Sequence, residues 1–160
     1  MDFNKYIYSL RIALRPNDNL DADIDRLTEL AVGYGYRDVM FYINNTCTSF
    51  LTHITEDEAK SQVEAIKRAK KVLNSAGITV SVNPGSSLGQ QMAEGLREGQ
   101  NFQPITSPAG KTSGACCPLD DSFREYLSDL FAYYAREIQP EIIWIEDDFR
   151  MHNRFGSDWG

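Results

Sequence analysis

The sequence predicts an α/β fold in which parallel strands alternate with helices, of the TIM-barrel type but with only four βα units. Two observations carry this prediction. Short β-branched and aromatic runs alternate with helix-length apolar stripes in the order β-α-β-α-β-(long loop)-α-β, which right-handed crossovers turn into a parallel sheet. Polar residues also gather after every predicted strand, as they do where barrel strands open on one carboxyl-terminal face. An open nucleotide-binding sheet would instead carry a glycine fingerprint after its first strand. The residues there are Arg15-Pro16-Asn17-Asp18, and neither GxGxxG nor GxxxxGK[ST] occurs anywhere in the chain.

The elements follow in order. Residues 6–14 read as a first strand, stopped by Pro16, with Asn17 or Asp18 able to turn the chain and cap the next element. Leu20, Ile24, Leu27, Leu30 and Ala31 recur at helical spacing, with Asp21, Asp23 and Asp25 in the first turns, where the helix dipole favours acids. Gly33 and Gly35 end that helix. Residues 38–44 form a near-continuous apolar run, the mark of a strand covered on both faces.

The second helix has the clearest punctuation. Thr55 and Glu58 make a capping box, an apolar stripe runs from Ala59 to Leu73, and Gly77 stops it. Its basic residues, Lys67, Arg68, Lys70 and Lys71, read as a solvated face. Residues 78–83 form a third strand. From Ser86 to Pro118 the periodicity weakens into a long glycine- and proline-rich excursion, with a short helix suggested near 90–96 and the length of a functional loop. Asp120 or Asp121 then caps a third helix with Phe123, Tyr126, Leu127, Leu130, Phe131 and Tyr134 as its stripe. Pro140 breaks it, and residues 141–147 read as a fourth buried strand.

The chain has 160 residues and a mass of 18.1 kDa. That is one domain, 1–160, but a complete barrel needs about 200 residues or more. The expectation is therefore a half or truncated barrel, ending after the fourth strand. Sixteen basic residues stand against 23 acids, giving a net charge of −7. With its one basic stretch read as a solvated helix face, nucleic acid is not expected as a partner. The apolar runs are strand-sized and the start lacks a secretory pattern, so no membrane is expected. Cys47, Cys116 and Cys117 show neither a disulfide framework nor metal-ligand spacing, which reads as reduced thiols in the cytoplasm.

The chemistry concentrates after the fourth strand. Glu146, Asp147 and Asp148 stand in a row, and neighbouring carboxylates raise one another's pKa, so one can stay protonated beside an ionised partner. That pairing is the equipment for glycosidic cleavage. The same acids could instead meet Arg150 and Arg154 in a salt-bridge network. With His152 they could also hold a divalent cation, but a loop histidine is more often simply exposed; no metal and no cofactor are assigned. Arg15, Asn44, Asn45 and Asn83 follow earlier strands and, with Phe149, Arg150, His152 and Trp159, complete a candidate substrate-binding set. Phe149 and Trp159 suit stacking on sugar faces, whereas Tyr42 and Trp144 read as core.

Trp144-Ile145-Glu146-Asp147-Asp148-Phe149-Arg150, preceded by Cys117-Pro118-Leu119-Asp120 and Phe123-Arg124-Glu125-Tyr126, resembles the fourth-strand region of glycoside-hydrolase-like TIM-barrel proteins. Asn83-Pro84 after the third strand fits the same pattern. The resemblance covers the amino-terminal half of such an enzyme and implies hydrolysis of O-glycosidic bonds in a carbohydrate substrate. In one large clan of that kind the acid/base is a glutamate after strand four. In hexosaminidase-like barrels two adjacent acids there, here Asp147 and Asp148, assist the substrate's own acetamido group. The alternatives are a non-catalytic α/β fragment and a metal-dependent sugar isomerase-type barrel, which would want more histidine than His53 and His152 supply. A half-barrel also leaves sheet edges open, which invites a homo-oligomer.

Overall fold

The computed structural model describes residues 8–43, 54–85, 101–106, 110 and 112–145. Strands β1 (Ser9–Ile12), β2 (Asp38–Tyr42) and β3 (Thr79–Asn83) form a parallel sheet in that order. Its register aligns Leu10 with Val39 and Val80, and Ile12 with Phe41 and Val82. The segment 141–145 extends the sheet on the far side of β3. Val82 and Ile143 form a parallel bridge. Glu141 N–H donates to Val80 O at 2.8 Å, Val82 N–H to Ile142 O at 3.0 Å, and Trp144 N–H to Val82 O at 2.8 Å. All four predicted strands are therefore parallel and lie in sequence order.

Helices α1 (Leu20–Gly33), α2 (Glu56–Ser75) and α3 (Asp121–Ile138) pack against one face of this sheet. The reason is visible in strand parity: Val39, Phe41, Val80 and Val82 point to the same side and meet Ile24, Ala31, Val63, Ile66, Ala69 and Leu73 in one buried core. The α2 capping box forms as the sequence predicts. Thr55 Oγ1 accepts from Glu58 N–H, and Glu58 Oε2 accepts from Thr55 N–H at 2.8 Å. At α1 the cap is Asn19, with no side-chain cap bond; Asn17 instead accepts from Asn19 N–H at 2.8 Å and turns the chain into the helix. Gly77 stops α2 in the left-handed region, at φ 77°.

Three features differ from the sequence reading. The long excursion contains an antiparallel pair, β4 (Pro104–Thr106) and β5 (Thr112–Cys116), with an irregular register. Its arm is pinned to α3 by one carboxylate: Asp120 Oδ1 accepts from Ser122 N–H as the helix cap, and Oδ2 accepts from Gln103 N–H at 2.7 Å. The basic stretch of α2 is not only solvated. Lys70 Nζ donates to Ile138 O and Gln139 O at 2.8 and 2.6 Å, holding the carboxyl end of α3, and Arg68 pairs with Asp21 of α1. Finally, the fourth strand is not buried. Only Ile143 packs towards the core, while Ile142, Trp144 and Ile145 are exposed, because this edge has no further strand among the described residues.

Candidate active-site face of the sheet

The sheet face opposite the helices is built from the other parity of each strand. One row across it, from β1 to the segment 141–145, is Arg11, Met40, Ser81 and Ile142. The next row, nearer the carboxyl ends, brings Tyr42 beside Asn83, with Trp144 one register step beyond. This is the face and end on which barrels build their sites. It is the candidate site.

Two side chains there are held firmly. The Arg11 guanidinium lies over the Tyr42 ring at 4.3 Å from its centroid, a cation–π contact. Asn83 is buried, and its Oδ1 accepts from Gly85 N–H at 2.9 Å while Ile43 N–H donates to Asn83 O at 2.7 Å. Gly85 completes that corner at φ 83°. A Cβ there would come within 2.9 Å of Ile43 O, so both the conformation and the space require glycine.

At the opposite, amino-terminal end of the same face, Asp38 is only 3% exposed. Its carboxylate accepts from Ser9 Oγ at 2.6 Å, Thr79 Oγ1 at 2.8 Å and Ser81 Oγ at 2.9 Å. A buried carboxylate needs such donors. The placement, away from the strand ends where chemistry is built, marks this cluster as a clamp on three strands.

Of the sequence-predicted site residues, Asn83 sits in the candidate site. Arg15 does not join it through any described contact. It is exposed beyond β1 and lines a smaller groove of about 270 Å3 with Leu14, Arg26 and Leu30, on the α1 side of the sheet edge. Asn44, Asn45, Glu146, Asp147, Asp148, Phe149, Arg150, His152 and Trp159 lie outside the described residues, as does the helix suggested near 90–96. Trp144, read from sequence as core, is instead 44% exposed on the site side of the sheet. Tyr42, read the same way, is half-buried beneath Arg11. Sequence reasoning missed Arg11, Tyr42 and Ser81 as parts of this face; the alternation of side chains along a strand was the signal that could have found them.

Among the described residues, no three His, Cys, Asp or Glu side chains are placed to hold a metal ion. No helix of the described residues is long and apolar enough to cross a membrane. Cys116 and Cys117 carry free thiols, and burial pushes the Cys116 thiol up to about 12, with Asp120 and Cys117 adding to the shift.

No protein-family profile matches the sequence, and no curated protein matches it either. Solved structures do match the fold. A noncanonic maltogenic alpha-amylase from Thermotoga neapolitana superposes with a TM-score of 0.54 at 12% identity, over 91% of this chain and 39% of that one. A sugar phosphate isomerase/epimerase from Parabacteroides distasonis superposes with a TM-score of 0.46 at 18% identity, over 88% of this chain and 43% of that one. The chain thus spans about two fifths of the length of these neighbours. Its parallel strands alternating with helices, matched over 39% of the amylase chain, are those of a partial TIM-type barrel.

Proposed function

We propose that the chain is the amino-terminal part of a carbohydrate-active, glycoside-hydrolase-like barrel that cleaves O-glycosidic bonds with Glu146, Asp147 and Asp148. The observation that supports this best is the parallel seam between β3 and the segment 141–145. It runs the chain towards the carboxyl end of the sheet, so the three acids follow directly from the end where Tyr42 and Asn83 lie. An acid that stays protonated donates to the leaving oxygen, and an ionised neighbour supports charge at the anomeric carbon or orients a substrate acetamido group. The reading needs further βα units, from a longer chain or a second copy, to close the site over the exposed Ile142, Trp144 and Ile145 edge. Light scattering distinguishes these sources: a concentration-dependent dimer of the 160-residue chain supports closure by a second copy.

The test is kinetic. The 160-residue chain alone is expected to hydrolyse no simple glycoside, whereas a version carrying the later strands does. In that version Asp147→Asn or Asp148→Asn should each cost at least ~100-fold in rate, the scale of a lost acid or base. Full activity in both variants would reduce the acids to a salt-bridge network and overturn their catalytic role.

A further inference from the structure

We propose that the groove between α2 and α3 is a separate, non-catalytic binding site for a neutral oligosaccharide, on the outer side of the helix layer. Its volume is about 700 Å3, inside the range of roughly 300–1,000 Å3 over which proteins bind small ligands. Ile54, Ala59 and Leu130 give it an apolar floor. Three half-buried aromatic residues, Phe102, Tyr126 and Tyr133, line it as well. These walls are fixed before any ligand arrives. Tyr126 Oη donates to Ile54 O at 2.9 Å, and the Phe102 ring lies 5.1 Å from that of Tyr126.

The charges decide the class of ligand. Lys60 is paired with Glu56 at 2.6 Å, and Arg136 is paired with Glu137 at 3.3 Å and lies over the Tyr133 ring. Lys60 and Arg136 are matched in the groove lining by Glu56 and Asp129, so it offers a phosphate or a carboxylate no surplus of positive charge. The side chains of Asp129 and Asn101 also line the groove, and among the described residues they have no hydrogen bond or ion pair. Together they supply several hydrogen-bond acceptors and one amide donor. Flat apolar rings beside a carboxylate and an amide match a ligand that has carbon–hydrogen faces and many hydroxyls. A saccharide is that ligand.

Binding of maltotriose, cellotriose and chitotriose to the 160-residue chain tests this, read by calorimetry and by chemical shifts of the groove residues. At least one triose should bind and move the resonances of Phe102 and Leu130. Asp129→Ala and Tyr133→Ala should each weaken binding by roughly five- to tenfold, the effect of one lost contact, with thermal melts confirming that both variants fold. Asp129 is exposed, so its replacement leaves the core untouched. Three outcomes would overturn the proposal: no triose binds at millimolar concentration, binding is unchanged in both variants, or glucose 6-phosphate binds the groove in preference to the trioses. The measurement reads binding to a chain expected to hydrolyse nothing, so its failure leaves the strand-end proposal standing, and the converse holds.

Discussion

Ser81 Oγ donates to Asp38 Oδ1 at 2.9 Å across the seam between β2 and β3, both side chains buried on the face away from the helices. The same carboxylate takes Ser9 from β1 and Thr79 from β3, so one acid ties three strands into a single register. A slip by one residue would turn every core valine to the wrong face, and would also strip Asp38 of its donors. Ser81→Ala should therefore destabilise the chain by about 1–3 kcal/mol in urea unfolding, the range for a lost buried hydrogen bond. Ser9→Ala, at the exposed outer strand, should cost less. Equal and negligible losses in both would show that the clamp contributes nothing.

Thr55 accepts from Glu58 N–H and Glu58 returns the bond to Thr55 N–H, closing the first turn of α2. Thr55→Ala should lower stability by about 1 kcal/mol, and Glu58→Ala by less, in thermal or denaturant melts. α2 packs against both other helices, so circular dichroism should report one cooperative transition shifted as a whole.

Tyr134 is wholly buried in α3, and its hydroxyl finds no hydrogen-bond partner among the described residues. Burial pushes its phenol pKa up. An unpartnered buried hydroxyl carries its full desolvation cost, so Tyr134→Phe should leave stability unchanged or raise it by up to about 1–3 kcal/mol. Tyr126→Phe is the contrast: it deletes the bond to Ile54 O and should destabilise by about 1 kcal/mol. A clear loss of stability in Tyr134→Phe would reveal a partner for that hydroxyl.

The Cys116 thiol has its folded pKa pushed up to about 12 from an ordinary value of 9.0, chiefly by burial. The unfolded chain deprotonates first, so the contribution to stability is whole below pH 9 and declines as pH rises towards 12. The slope is about 1.4 kcal/mol per pH unit from this group alone. Cys116→Ala should flatten that part of the alkaline stability profile. In the native chain at pH 8, a thiol reagent should modify Cys117 well before Cys116.

The parts of the fold that were legible in sequence are those whose cause is local. α2 announces itself through Thr55, Glu58, the apolar stripe and Gly77, β2 through its near-continuous apolar run, and β3 through the β-branched Ile78, Thr79, Val80 and Val82. The β4–β5 pair was not legible, because Thr112–Cys116 is a small-residue stretch whose pairing comes from a partner across Gly110. Trp144 was misjudged for a related reason: burial at an edge is decided by what lies across it, which no local pattern records. In the candidate site, Asn83 stood out as a polar residue closing a strand. Arg11 did not, because its place over Tyr42 depends on the register between β1 and β2, and a single strand does not encode its neighbour's register.

The strictly sequential order of the sheet has a consequence for how the chain acquires it. From β2 onwards each strand finds a partner already made when it emerges from the ribosome, so β1, β2 and β3 can assemble during synthesis without waiting for distant residues. The seam between Val82 and Ile143 is different, because the β4–β5 hairpin and all of α3 are interposed. It closes over the longest loop in the sheet and brings in the least burial, so it should be the last to form and the first to open. Hydrogen exchange should find Trp144 N–H less protected than the amides of Val39 and Val80. The strand that leads to the three acids is then the most easily detached part of the sheet.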